Sequence, residues 1–233
     1  MKIGIICAMQ EELDSVKKKL NLNCSELIER CFSVFVARYQ THELIFILSG
    51  IGKVNAAIHT QYIIDKFNID YIINVGVAGS LVQDLHFGDV VIASDLVQHD
   101  MDVVVFGIAL GQIPRMDVFS FASDEMLLNL AKLIHGDGYQ IQVGRIISGD
   151  QFIDNKDKVM FLVKQFNARA CEMEGAAVAH VCHVNKVPFI VIRALSDMAG
   201  QSGEAIHSFN ELKNMAADRS SIVIQQLLSL MDD

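Results

Sequence analysis

The sequence predicts an α/β fold: a largely parallel sheet with helices between its strands. Two observations carry that prediction. Short runs rich in β-branched and aromatic residues alternate with longer stretches of helical length. No Pro/Ser-rich linker and no internal repeat divides the 233 residues, which include only two prolines. One α/β domain of that length can bury a sizeable core, so a single domain over residues 1–233 is expected.

The first strand is read at 2–8, from Lys2-Ile-Gly-Ile-Ile. Its apolar stretch superficially resembles a signal peptide. It is short, however, and Glu11, Glu12 and Asp14 follow at once, unlike a cleavage region. A helix is expected over 11–20, then a hairpin of strands at 31–38 and 43–49, which brings some antiparallel pairing. A helix over 53–67 and strands at 70–76 and 88–94 follow. Residues 100–122 read as a long irregular stretch, and such loops are usually functional or interfacial. Val103, Phe106, Ile108 and Phe119 would make it sticky if exposed, so packing over a pocket or against a partner subunit is expected. A helix at 123–135, a strand at 139–147 and a helix at 155–166 come next. Strands at 168–173 and 188–195 flank a helix at 174–185, and a helix at 208–230 ends the chain.

Apolar residues make up 52% of the chain and mean hydropathy is +0.33, high for a soluble monomer. No apolar run approaches the roughly 18 residues of a membrane span. A buried sheet plus an apolar subunit interface accounts for the surplus, so a homodimer is expected. Net charge −9 argues against a nucleic-acid partner, which would call for a basic patch. Cys7, Cys24, Cys31, Cys171 and Cys182 are odd in number and lack Cys-x-x-Cys spacing, which points to a reduced, cytoplasmic setting.

Chemistry-bearing residues gather at strand ends, where open α/β folds bind ligands. Arg193, Ser196 and Asp197 follow the apolar run Phe189 to Ile192, and Glu174 opens an apolar helix. Ser49-Gly-Ile-Gly-Lys53 lies between a strand and a helix without Walker spacing, and Gly76-Val-Ala-Gly79 reads as a second glycine turn. In Met9-Gln-Glu-Glu12, each acid can simply favour the helix dipole, or one can face the crevice as a base. His180 and His183 beside Cys182 lack an acid to complete a metal set, so a packed histidine is the better reading. His99-Asp100-Met101-Asp102 is richer in ligand types, yet a polar loop closing a site fits better than a metal cage. Phe152, in Ser148-Gly-Asp-Gln-Phe-Ile153, can be core or can stack on a flat ligand.

Met1-Lys-Ile-Gly-Ile-Ile with Ala8-Met-Gln-Glu-Glu12, Ser49 to Lys53, Ser148-Gly-Asp150 with Phe152-Ile153, Glu172-Met-Glu174 and Arg193-Ala-Leu-Ser-Asp197 occur in collinear order. Together they resemble the 5′-methylthioadenosine/S-adenosylhomocysteine nucleosidases of the nucleoside phosphorylase superfamily. The resemblance implies a nucleoside phosphorylase-like, single-domain mixed sheet flanked by helices. It also implies a homodimer that hydrolyses an N-glycosidic bond to adenine without metal or cofactor. By the same resemblance, Asp197, held by Ser196, would protonate adenine N7, and Glu12 would activate water with Arg193 nearby. Glu174 would bind ribose hydroxyls above Met173. Phe152 would stack on adenine while the Ile153 backbone reads its edge. Met9, Ile51 and Phe209 would line the 5′-alkylthio pocket, with Val103, Phe106 and Pro114 reaching in from the partner subunit.

Glycosidic cleavage passes through an oxocarbenium-like state, so one acid must protonate the leaving group while another group handles water. Asp197 must then hold a proton near neutral pH, which burial favours and a close Arg193 would oppose. Two departures stand out. Val77 occupies a position where many family members have serine, and Met198 to Glu204 is longer and richer in glycine than expected. Other readings are an aminodeoxyfutalosine nucleosidase, a phosphorylase, for which an acid near Met9–Glu12 would repel phosphate, and a catalytically silent nucleoside binder.

Overall fold

Ten strands pair into one mixed sheet among the described residues, and the order of pairing decides where a ligand can sit. The computed structural model describes residues 1–29, 32–200 and 204–232. Strands β1 (Lys2–Cys7), β4 (His42–Leu48), β5 (Tyr71–Ser80) and β10 (Phe189–Met198) lie parallel in the order β4-β1-β5-β10. Strand β6 (Val90–Gln98) runs antiparallel to β10, and β8 (Ile141–Ser148) parallel to β6. Short β9 (Ala170–Glu172) pairs with β8 and returns to β5. The circuit β5-β10-β6-β8-β9 thus closes into a small barrel. β1 and β4 leave it as an open sheet that continues through β3 (Phe32–Tyr39) to β2 (Ser25–Glu29).

One edge of β5 is shared between two partners. β1 pairs with residues 71–75 and β9 with Gly79 and Ser80, so residues 76–78 pair with neither strand. Backbone groups in such a gap need other partners, and the gap is where the cleft opens.

The strands alternate between two buried layers, as a period of two requires. Ile3, Ile5 and Cys7 face one layer with Ile190 and Ile192; Ile6 faces the other with Phe189 and Val191. Helices α1 (Gln10–Lys19), α3 (Glu125–Ala131) and α6 (Glu204–Leu230) cover the first layer through Leu13, Val16, Leu127, Val223 and Leu227. Helices α2 (Lys53–Phe67) and α5 (Gly175–Asn185) cover the second through Ala56, Ile63 and Ala176 to Ala179. Helix α4 (Lys156–Phe166) closes a smaller cluster around Leu162 and Phe166. Among the described residues no helix is long and apolar enough to cross a membrane.

The structure departs from the sequence reading in particular places. Gly76-Val-Ala-Gly79 is strand, not turn, because β5 continues to Ser80 against β10. Strands β6 and β10 also run on, to Gln98 and Met198, as barrel staves. β2 was not anticipated: its apolar residues Leu27 and Ile28 are exposed, so no burial pattern marks it, and pairing with β3 alone makes it a strand. Cys31, the expected start of the hairpin, lies outside the described residues, as do residues 201–203. The helix expected at 123–135 shrinks to α3, whose Asp124 cap accepts from Leu127 N at 3.0 Å. The helix expected from 208 begins instead at Glu204. Within the irregular stretch sit a 3₁₀ turn (Val104–Phe106) and a two-residue strand β7 (Phe121–Ala122) against β6.

Candidate active site

The gap on β5 is filled by a carboxylate. Glu12 sits in the first turn of α1, where its Oε2 accepts from Ala8 N and Met9 N, both at 2.9 Å. Its Oε1 accepts from Val77 N at 3.1 Å, satisfying an amide that neither β1 nor β9 takes. Gly76 makes room: a Cβ there would stand 2.6 Å from Glu12 Oε1. Glu12 therefore caps its helix and also lines the cleft. Glu11 takes only the bland role, paired with Lys213 at 2.6 Å. Burial pushes the Glu12 carboxyl above its ordinary pKa, while the charge of Arg193 and the three amides only partly offset that.

Asp197 owes its direction to an irregularity. The β10–β5 register slips between Leu195 and Asp197, leaving Ser196 as the extra residue. Such a bulge re-aims the following side chain. Ser196 Oγ stands 2.9 Å from Asp197 Oδ1 and 3.4 Å from the Ala78 carbonyl, so it can donate to either. A Cβ at Gly79 would lie 2.7 Å from Asp197 Oδ2, so the two glycines of one strand segment each leave space for one carboxylate. Burial raises the Asp197 pKa to about 6, the Ser196 hydrogen bond holds it down, and the charge of Asp154 adds to the rise. Arg193 is not among its perturbers, contrary to the opposition considered from sequence.

A third and fourth carboxylate stand on the β9–α5 junction. Glu172 accepts from Glu174 N at 3.0 Å and Gly175 N at 2.7 Å, capping α5, and also from Ser148 Oγ. Arg193 closes on it at 2.5 Å and reaches Asn74 Oδ1 at 2.6 Å, while Asn74 donates to Ile6 O. Arg193, expected in the site, is 1% exposed and lies behind the wall of the cleft rather than on it. Glu174 does face the cleft, with Oε1 accepting from Gly52 N at 2.8 Å. Burial first, then the neighbouring charge of Glu172, raises its pKa to about 8.

A cavity of about 200 Å³ collects most of the expected residues: Met9, Glu12, Ile51, Phe152, Ile153, Met173, Glu174, Ser196, Asp197 and Phe209. Phe152 and Phe209 meet edge to face at 6.0 Å at its rim, where Phe152 is 46% exposed. Ile153 is buried and its carbonyl accepts from Gly200 N at 3.1 Å. Val77 contributes an apolar side chain to the lining as well as its amide to Glu12. Val103, Phe106 and Pro114 do not line this chain's cleft, and Phe106 is 78% exposed. Sequence reasoning placed no role on Glu172, Gln151 or Cys171. Glu172 alone left a signal, as an acid two residues before Glu174 at a strand end. His180 stacks on Phe121 at 4.9 Å, in keeping with a packed histidine.

A profile described as the phosphorylase superfamily matches residues 2–229. A 5′-methylthioadenosine/S-adenosylhomocysteine nucleosidase of Staphylococcus haemolyticus is 42% identical over 230 residues, covering 98% of this chain and all of that one. This chain belongs to that nucleosidase family. A Helicobacter pylori nucleosidase of the family, solved with butyl-thio-DADMe-Immucillin-A, superposes with a TM-score of 0.93 at 36% identity, over 98% of both chains. The native futalosine hydrolase of Helicobacter pylori gives the same TM-score and identity, over 98% of this chain and 97% of that one. The mixed sheet with its flanking helices is thus the fold of this nucleosidase family, and the cleft lies at the strand ends where the sequence placed it.

Proposed function

We propose that the chain hydrolyses the N-glycosidic bond of 5′-methylthioadenosine and S-adenosylhomocysteine, and of 5′-deoxyadenosine, releasing adenine and the 5-substituted ribose. Asp197 protonates adenine N7, and a pKa near 6 lets a useful fraction carry the proton near neutrality. Glu12, fixed by three amides, is the base that takes a proton from water as it attacks the anomeric carbon. Glu174 binds the ribose hydroxyls, Met173 packs beneath the sugar, and Phe152 and Ile153 hold the base. Met9, Ile51 and Phe209 surround the 5′ substituent.

The observation that carries hydrolysis rather than phosphorolysis is the sign of the cleft. Four carboxyl residues line it, Glu12, Glu172, Glu174 and Asp197, and among the described lining residues there is no Lys, Arg or His. Phosphate needs cationic or multiple N–H donors. The nearest guanidinium, Arg193, is spent on Glu172 behind the wall.

The likeness to futalosine hydrolase keeps aminodeoxyfutalosine as a second candidate substrate. Adenine release from methylthioadenosine, S-adenosylhomocysteine and aminodeoxyfutalosine, assayed side by side with and without phosphate, tests the reading. Phosphate-independent release from the two thioethers is expected, and strict phosphate dependence would overturn it.

Residues 1–233 act as one cytoplasmic nucleosidase domain serving methionine salvage, with no cofactor, and the working form is a homodimer. Val54 and Ile58 on α2 and Val104 to Phe106 are exposed apolar residues that a second copy would cover. Val103, Phe106 and Pro114 then complete the partner's pocket. Sedimentation of a monomer at assay concentrations would contradict this.

A further inference from the structure

Lys53 and Asp100, from two motifs set apart in the sequence, Ser49-Gly-Ile-Gly-Lys53 and His99-Asp100-Met101-Asp102, have no part in the proposed chemistry, yet the structure joins them. Lys53 Nζ donates to Asp100 Oδ1 at 2.5 Å and to Gln98 Oε1 at 3.3 Å. Asp100 Oδ2 accepts from Asp150 N at 3.0 Å, and Asp150 Oδ1 accepts from Lys53 N at 2.8 Å. The three residues, through their side chains and two backbone amides, therefore close a ring through three separate segments. The ion pair is only 16% exposed on each side, so water and salt screen it less than a surface pair. Burial alone would raise the Asp100 pKa, but Lys53 and the Asp150 amide outweigh it and hold it below its ordinary value.

Each segment carries a piece of a pocket. The first holds Ile51 in the lining and presents Gly52 N to Glu174. The third continues directly into Gln151, Phe152 and Ile153. The second leads to the exposed turn at Val104–Phe106. The backbone is shaped for the ring: Gly52 has φ +98°, and a Cβ there would stand 3.1 Å from Asp150 Oδ1. Next to it, a Cβ at Gly149 would strike buried His99 at 2.4 Å, so the second and third segments also touch directly.

We propose that Lys53, Asp100 and Asp150 are positioning residues for the hydrolysis. Their ring holds the Gly52 contact of Glu174 in register with the Phe152–Ile153 base-binding segment, and it anchors the 100–106 loop to the start of α2. None of the three touches the reacting atoms. The proposal rests on the nucleosidase reading above.

The test measures kcat and KM for adenine release from methylthioadenosine by the full chain, together with adenine affinity by calorimetry and thermal unfolding. The variants are Lys53→Met, Asp100→Asn, Asp150→Ala, Asp150→Asn and the double variant Lys53→Met/Asp100→Asn. Opening the ring should cost about 10- to 100-fold in kcat/KM, mostly in KM, because contact geometry is loosened while Glu12 and Asp197 stay in place. The double variant should be no worse than its poorer single, since one break already opens the ring. Asp150→Asn keeps the oxygen that accepts from Lys53 N and should stay close to wild type, whereas Asp150→Ala should not. The limbs of the pH profile should not move. If Lys53→Met does not fold, Lys53→Arg, which retains the charge, replaces it and should recover most of the activity. Lys53→Met, Asp100→Asn and Asp150→Ala all within twofold of wild type in kcat/KM and adenine affinity would overturn the proposal. So would losses that multiply in the double variant, or a fall in melting temperature with kinetics unchanged. Wild-type protein that binds adenine but releases none from substrate would instead sink the nucleosidase reading.

Discussion

Glu172 and Glu12 are 8% and 3% exposed, and both accept several hydrogen bonds at the cleft wall. Glu172 also has a cation against it: Arg193 at 2.5 Å, itself steadied by Asn74. Glu12, Glu174 and Asp197 have no cation in contact among the described residues, and each is pushed upward in pKa chiefly by burial. Nearly equal burial thus has two outcomes. Where a cation stands behind the wall, as Arg193 does behind Glu172, charge is paired and holds β9, α5 and β10 together. Where no cation is in contact, burial outweighs what the charge of Arg193 offsets at Glu12 and Glu174, and each of the three carboxyls holds its proton more readily than a free one. Pairing marks support and frustration marks chemistry.

The largest effects test the chemical side of that division. Asp197→Asn should lower kcat by at least about 10²–10⁴-fold, the usual worth of a placed acid, with nucleoside binding largely kept. Glu12→Gln should stop hydrolysis to a similar degree, because a neutral amide cannot take the water's proton. Steady-state kinetics and a binding isotherm for each variant would check this. Unchanged turnover in either would remove that residue from its role.

The supporting side should fail differently. Arg193→Met leaves the Glu172 carboxylate buried without its cation, a change typically costing about 3–5 kcal/mol. For a chain of this size that corresponds to a drop in melting temperature on the order of 10 °C. Calorimetry checks it. A variant with normal stability but abolished kcat would place Arg193 in the chemistry and erase the distinction between support and chemistry.

How much of this was legible in the sequence follows from the kind of signal each part leaves. Buried strands such as Phe189 to Ile192 are continuous apolar runs, and acids just beyond them stand out against that background. Collinear motifs then fixed the family and most of the lining. The β5 gap was not legible, because it depends on β1 and β9 sharing one edge, a non-local event. For the same reason Gly76 and Gly79 read as a turn: glycine in a strand and glycine in a turn look alike until the neighbouring carboxylates are in view. Arg193 was drawn toward the site by its closeness to Asp197 in sequence. Residues 193 and 197 would share a face of a regular strand, and the slip at Ser196 breaks that alternation.

A smaller effect concerns stability. An Asp whose folded pKa is about 6, against an ordinary 3.8, binds its proton more readily when folded. Folding is then penalised as pH rises above the unfolded value, and the penalty is complete above the folded one. The ceiling is about 3 kcal/mol, from roughly two pKa units. Asp197→Asn removes the penalty, so this inactive variant should melt several degrees above wild type at pH 8, and the gain should vanish by about pH 3.5. A paired carboxylate predicts the reverse sign, so a less stable variant at pH 8 would move Asp197 to the supporting class.

The finest test alters the proton affinity of Asp197 without removing it. Ser196 can donate to Asp197 Oδ1, which favours the ionised form and lowers the pKa. Ser196→Ala withdraws that donor, so Asp197 should keep its proton to higher pH. The alkaline limb of kcat/KM, set by loss of that proton in the free enzyme, should move up by about one pH unit, the low end of the worth of a hydrogen bond to a charged group. The acid limb, set by protonation of Glu12, should stay where it is, because Ser196 makes no contact with that carboxyl. An alkaline limb that moves down, or both limbs moving together, would show that the two carboxylates titrate as one coupled unit rather than as a divided acid and base.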